Sequence, residues 1–219
     1  MAIIAGIASV PSRKDMLVRT VESLLPQVDK VCVALNGYAD VPIELRNLRN
    51  VECVIMDNSL GDGAKMSFVI PDVIYLSCDD DLLYPKGYAQ YMISKAKQYK
   101  SIVTLHGRQF KNRPIRSYRR GFTLNYHCLH TYREDVLLDV GGSGVMCFDT
   151  NIFMPDTSKF LQKNMCDIWT AKQAHEQRVK IMGVAHTNNY LGYQNPQETI
   201  WRTCKIDPYM TQVLNSFLK

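Results

Sequence analysis

Along the first half of the chain, short β-branched apolar runs alternate with stretches of helical spacing. Ile3 to Ala8 is an apolar run that predicts a first strand. Lys14 to Leu25 places Met16, Leu17, Val21, Leu24 and Leu25 on one helical face, and Pro26 ends that helix. Val31 to Leu35 predicts a second strand, closed by the turn signal Asn36-Gly37. Val51 to Met56 and Val73 to Ser77 are the third and fourth. Pro85 suits the first turn of a helix reaching about Tyr99, and Ser101 to Leu105 is a fifth strand. Strands separated by helices imply parallel crossovers, hence an α/β domain with a mostly parallel central sheet flanked by helices.

From His106 onward the pattern loosens. Arg108 to Arg120 is basic and irregular, and Leu124 to Tyr132 reads as an extended run carrying His127 and His130. Gly141-Gly142-Ser143-Gly144 opens the apolar run Val145 to Phe148. A helix is expected from Met165 to Gln177, a strand from Val179 to Val184 and a last helix near Tyr209 to Leu218. No repeat or low-complexity linker interrupts the 219 residues, so one domain is expected, with residues 1–105 and 106–219 as two functional halves.

Composition narrows the classes. Hydrophobic residues at 46% and charged residues at 21% exclude disorder, collagen and coiled coil for the whole chain. The net charge of +5 suits an anionic ligand but is too diffuse to indicate nucleic acid. Cys32, Cys53, Cys78, Cys128, Cys147, Cys166 and Cys204 form no CxxC or CxxH pair and sit mostly in apolar stretches. They read as packing thiols of a reducing compartment. Met1 to Val10 lacks a basic region and reads as a strand rather than a signal peptide, and no apolar run reaches the length of a membrane span. A soluble cytoplasmic protein is the expectation.

Parallel α/β sheets bind ligands at the carboxyl ends of their strands. Here those ends carry Ala8-Ser9-Val10-Pro11, Asn36-Gly37-Tyr38, Asp57-Asn58 and Cys78-Asp79-Asp80-Asp81. Three adjacent carboxylates repel one another and call for a compensating cation. On an extended chain Asp79 and Asp81 point the same way and offer hard oxygen ligands for Mg²⁺ or Mn²⁺. The bland reading is a solvated acidic turn.

Several segments occur in an order that resembles a known family. They are Ser9-Val10-Pro11-Ser12-Arg13, Asn36-Gly37, the run from Asp57 through Gly61-Asp62-Gly63-Ala64-Lys65, and Asp79-Asp80-Asp81 closing an apolar strand. This arrangement, over about residues 3 to 190, is similar to the GT-A fold glycosyltransferases that use nucleotide sugars, close to the inverting family 2 group. Gly141 to Phe148 is similar to that family's glycine-rich segment beside the donor sugar, and Met165-Cys166-Asp167-Ile168-Trp169 to the place of its catalytic base. Cys166 stands where the common Glu would be. Within the family, the chain resembles the capsid-glycosylating transferase domain of large algal (chlorella) viruses, which implies host cytoplasm.

The resemblance implies transfer of a sugar from a nucleoside diphosphate sugar, UDP-sugar first, to a hydroxyl of a glycan or glycoprotein, with inversion. Asp79, Asp81 and His186 would hold Mn²⁺ or Mg²⁺, and Asp167 would be the base. Ala8, Ser9, Val10, Arg13, Asn36, Tyr38, Asp57, Gly63, Lys65, Asp79, Asp80 and Gly142 would bind the donor, with Tyr38 packed on the nucleobase. Neither nucleic acid nor a membrane span is expected. Two alternatives remain: a metal-dependent nucleotidyltransferase acting on sugar phosphates, and a nucleic-acid binder using Lys111, Arg113, Arg116, Arg119 and Arg120 with Phe110, Tyr118 and Phe122. Metal binding by His127 and His130 is not expected, because an extended segment does not place them on one face.

Overall fold

A computed structural model describes residues 1–197, 199–200 and 207–218. Cys204 and Lys219 lie outside the described residues. The four expected N-terminal strands are present as β1 (Ala2–Ser9), β2 (Lys30–Asn36), β3 (Val51–Met56) and β4 (Val73–Asp79). β5 (Leu82–Leu83), β6 (Ile102–Thr104), β7 (Gly107–Gln109), β8 (Leu124–Tyr126), β9 (Val136–Leu138), β10 (Val140–Gly141), β11 (Val145–Asp149), β12 (Ile181–Gly183) and β13 (Gly192–Tyr193) follow. The helices are α1 (Lys14–Leu24), α2 (Ile43–Arg46), α3 (Tyr88–Tyr99), α4 (Cys166–Glu176) and α5 (Asp207–Phe217).

Eight strands make the central sheet in the order β3-β2-β1-β4-β11-β6-β12-β9. β1, β2, β3 and β4 pair in parallel, as do β6 and β12, while β11 and β9 pair antiparallel with their neighbours. The fold is therefore a single Rossmann-like α/β domain with a mostly parallel sheet. The period-two pattern sends alternate side chains to two cores. Val73 and Tyr75 face one, with Trp169 of α4 and Leu214 of α5; Ile74, Leu76 and Cys78 face the other, with Leu17 of α1 and Met92 of α3. Each fully buried aliphatic side chain contributes about 1.5–3 kcal/mol, and α1 places Leu17, Val21 and Leu24 on one buried stripe.

Two expectations need correction, and one apolar run gains its place in the sheet. The run Val145 to Phe148 is β11, which inserts antiparallel between β4 and β6, so the sheet's centre draws on both parts of the chain. Hydrophobicity is blind to strand direction. Only Leu124–Tyr126 of the expected 124–132 run is strand, because a turn follows in which the His130 N–H donates to the His127 carbonyl at 2.9 Å. The helix after Pro85 begins at Tyr88, behind Gly87 with φ of 87°.

Residues Gly61–Phe68 form a 3-10 segment that packs against β1. A Cβ on Gly6 would overlap the Tyr75 hydroxyl and the Lys65 carbonyl, which are themselves hydrogen-bonded. Glycine in mid-strand therefore admits the segment that delivers Lys65.

Candidate active site

The carboxyl ends of β1, β2 and β4 open onto a cleft of about 890 Å³. Strand register aligns Ala8 with Asp79, which sets the Ser9–Arg13 loop beside the aspartates. β4 stops at Asp79, and Asp80 and Asp81 turn toward β5. Strand alternation thus does not extend through Asp81: the turn brings all three carboxylates to the cleft.

Lys65, 2% exposed, places its Nζ 2.5 Å from Asp79 Oδ1, and the Asp79 side chain keeps 45% of its surface open. Burial raises the Asp79 carboxyl, but the Lys65 ammonium outweighs it and holds the group below the ordinary carboxylate range. Asp80 is almost completely buried. It accepts from Arg13 Nη1 and Ser9 Oγ, both at 2.6 Å, yet burial still keeps its carboxyl above the usual value. Asp81 lies 3.5 Å from the same Arg13 nitrogen. Burial, then repulsion from Asp79 and Asp80, pushes it up to about 7. Three carboxylates share two cations, so local negative charge is in excess.

Directly beside Asp79 runs the Gly142-Ser143-Gly144 loop. A Cβ on Gly144 would overlap the Asp79 carboxylate, and one on Gly142 would lie 2.7 Å from His106 Cβ. Asp167, in the first turn of α4, accepts the Ser143 N–H at 2.7 Å. It is thus tied to the glycine loop rather than serving only its own helix. Asp62 accepts the Cys166 N–H at 3.3 Å from the 3-10 segment. Burial drives Asp62 up to about 7, helped by repulsion from Asp167 and Asp79 and opposed by Lys65.

Ala8, Ser9, Val10, Arg13, Asn36, Lys65, Asp79, Asp80, Asp81, Gly142 and Asp167 all line this cleft. Asn36 donates from Nδ2 to the Gly61 carbonyl at 2.9 Å. Its buried Oδ1 has no hydrogen-bond partner among the described residues. Four expected residues stand elsewhere. Tyr38 is buried beneath the Ser9 loop, its hydroxyl donating to the Val10 carbonyl at 2.9 Å, so its ring is not a nucleobase platform. Asp57 is exposed and accepts the Ser59 N–H at 2.9 Å. Gly63 packs under the Phe160 ring. His186 is buried against Tyr126 and Tyr132, its ring nitrogens facing the carbonyls of Val184 and His127 at 2.8 and 3.3 Å. Those neighbours, not the aspartates, hold its imidazole.

His106 reaches the cleft wall instead, with Arg108, Tyr118, Asn125, His127 and Cys128. No local motif announces these residues. Arg108 is buried with its guanidinium 4.0 Å above the Tyr118 ring. Phe110 and Tyr118 are buried and Phe122 packs on the same core, while Tyr118 and Phe122 each also turn an edge to the cleft.

No protein-family model and no curated protein matches the chain. Solved structures share the fold. A 4-diphosphocytidyl-2C-methyl-D-erythritol synthase from Anaerococcus prevotii is 13% identical with a TM-score of 0.55, covering 99% of this chain and 98% of that one. A nucleotidyl transferase from Methanothermobacter thermautotrophicus is 15% identical, with a TM-score of 0.51 and coverages of 96% and 98%. Glucosyl-3-phosphoglycerate synthase from Mycobacterium tuberculosis, in complex with Mn²⁺, UDP-glucose and phosphoglyceric acid, is 15% identical. Its TM-score is 0.52, with coverages of 99% and 78%. The fold is GT-A-like, shared by nucleotidyl- and sugar-transferring enzymes.

Proposed function

We propose that this protein transfers a sugar from a nucleoside diphosphate sugar, UDP-sugar first, to a hydroxyl of a glycan or glycoprotein. One observation carries the reading: Asp79 and Asp81 at the end of β4 face the same cleft as Asp167, which the Ser143 N–H holds in place. The described fold neighbour that binds Mn²⁺ and UDP-glucose supports it. Residues 1–105 form the donor side and residues from 106 onward the acceptor side. A viral capsid glycoprotein is the acceptor that the closer resemblance names, and free buried thiols accord with a cytoplasmic setting.

The donor set fits a divalent cation, because the excess carboxylate charge is oxygen-only and lines the cleft. Asp79 and Asp81 would hold Mn²⁺ or Mg²⁺, which supplies Lewis-acid neutralisation of the leaving diphosphate. Arg13 and Lys65 add charge-assisted donors on the same side. Asn36 Oδ1 offers a buried acceptor for a nucleobase N–H. Asp167 takes the proton of the acceptor hydroxyl as its oxygen bonds to the anomeric carbon and the sugar–phosphate bond breaks; single displacement inverts the centre.

A nucleotide-sugar panel with Mn²⁺ tests this by following free nucleoside diphosphate. Turnover per folded molecule should fall at least about 100-fold in Asp167→Asn and in the double variant Asp79→Asn, Asp81→Asn, the folded fraction being read by circular dichroism. Full turnover in either would defeat the role assigned to it. The second reading, nucleotidyl transfer, draws on the two cations beside the carboxylates, which suit a triphosphate, and would show itself by pyrophosphate release instead.

Metal affinity should depend on pH. A proton on Asp81 competes with the cation, so Mn²⁺ binding should weaken up to about tenfold per unit below pH 7 and level off above it. Electron paramagnetic titration of Mn²⁺ between pH 5.5 and 8 measures this; a flat profile would contradict a raised Asp81 carboxyl at the metal site.

A further inference from the structure

His106 follows β6 by two residues, whereas His127 and Cys128 follow β8. Antiparallel pairing of β7 with β8, which sets Gly107 opposite Tyr126, brings these distant segments together. One ring nitrogen from each histidine and the Cys128 sulfur lie within 4.8 Å of one another. Zinc bonds of about 2.0–2.1 Å to nitrogen and about 2.3 Å to sulfur set tetrahedral ligand separations of roughly 3.3–3.8 Å. Side-chain rotations of modest size close that difference.

The two imidazoles meet edge to face, with centroids 5.0 Å apart and planes at 66°, rather than lying flat on each other. Each Nδ1 receives only a long backbone contact: Cys128 N–H to His106 at 3.4 Å and Leu129 N–H to His127 at 3.3 Å. A cation would therefore displace only hydrogen bonds at the edge of the range. All three side chains line the cleft, and Cys128 is 9% exposed, so a cation has an approach and a fourth position for water.

We propose that His106, His127 and Cys128 form a binding site for a thiophilic transition metal of the Zn²⁺ class, distinct from the aspartate cluster. Two imidazoles and a sulfur select such ions, whereas the oxygen-only set of Asp79 and Asp81 selects Mg²⁺ or Mn²⁺. Binding replaces the Cys128 S–H bond with a sulfur–metal bond and releases that proton to solvent. The Cys128 thiolate and the nearby Asp79 carboxylate offset the incoming charge; the Arg108 guanidinium opposes it, and His130, stacked on His127 at 4.7 Å, remains outside the set. The site does not depend on sugar transfer.

Co²⁺ serves as the spectroscopic probe on the full chain. One equivalent should produce a thiolate-to-cobalt charge-transfer band in the near ultraviolet and tetrahedral visible bands, both bleached by Zn²⁺. Cys128→Ser should abolish the charge-transfer band, and His106→Ala or His127→Ala should weaken binding at least tenfold. Asp81→Asn, which keeps the Lys65–Asp79 pair, should retain the band. Absence of the band from the wild type, its survival in Cys128→Ser, or its loss in the aspartate variant would each overturn the proposal. In case Cys128→Ser does not fold, alkylation of the wild type mapped by mass spectrometry provides a second measurement. Zn²⁺ should protect Cys128 selectively, and unprotected alkylation would also overturn the site.

Discussion

Asp79→Ala should lower the unfolding free energy by about 3–5 kcal/mol, the range for stranding one partner of a buried ion pair. Lys65→Met should cost far less. The asymmetry comes from exposure: Lys65 is 2% exposed, whereas the Asp79 side chain keeps 45% of its surface open. Without Lys65, Asp79 can take its hydration from the cleft. Without Asp79, the ammonium stays under the 3-10 segment with the raised carboxyl of Asp62 as its nearest compensation. The double variant Lys65→Met, Asp79→Ala should recover most of the loss, because no buried charge remains. Urea midpoints for the four proteins measure the cycle. Equal costs for the two single changes would show that Lys65 can rehydrate and is not locked in place.

Gly144→Ala should cut turnover about 100-fold, on the scale of a 1 Å misplacement of a reacting group, and lower stability by less than Asp79→Ala does. A methyl group there would occupy the space of the Asp79 carboxylate. The obstructed atoms are the end of a rotatable side chain, so Asp79 swings aside at the expense of its contact with Lys65, and the backbone is spared. The link from the Asp79 N–H to the Gly144 carbonyl at 3.0 Å, between backbones, can persist. Nucleoside diphosphate release alongside a urea midpoint separates the two effects. A large drop in stability with turnover retained per folded molecule would contradict this account.

The expected elements that appeared share one property: their signal is local. Alternation in Val73 to Ser77 and the helical spacing of Leu17, Val21 and Leu24 each follow from a neighbour's position along the chain. Placement at the cleft was legible for Ser9, Arg13, Asn36 and the aspartates for the same reason, since strand ends share one edge in a parallel sheet. Tyr38 and His186 show where this stops. Both follow strands, but Tyr38 finds the Val10 carbonyl and His186 the Tyr126–Tyr132 pair, partners separated from them by tens of residues. Burial of Lys65 was equally invisible, because a lysine in a polar glycine-bearing run reads as solvated until Gly6 is seen to admit the segment.

By itself the sequence determined an α/β chain whose acidic strand end calls for a cation, because period, capping and adjacent charge act over a few residues. Tertiary structure alone decided the direction of β11, the burial of Lys65 on Asp79, the tie between Asp167 and Ser143, and the approach of His106 to Cys128. Each depends on contacts between segments far apart in sequence, formed as the sheet and its two cores assemble.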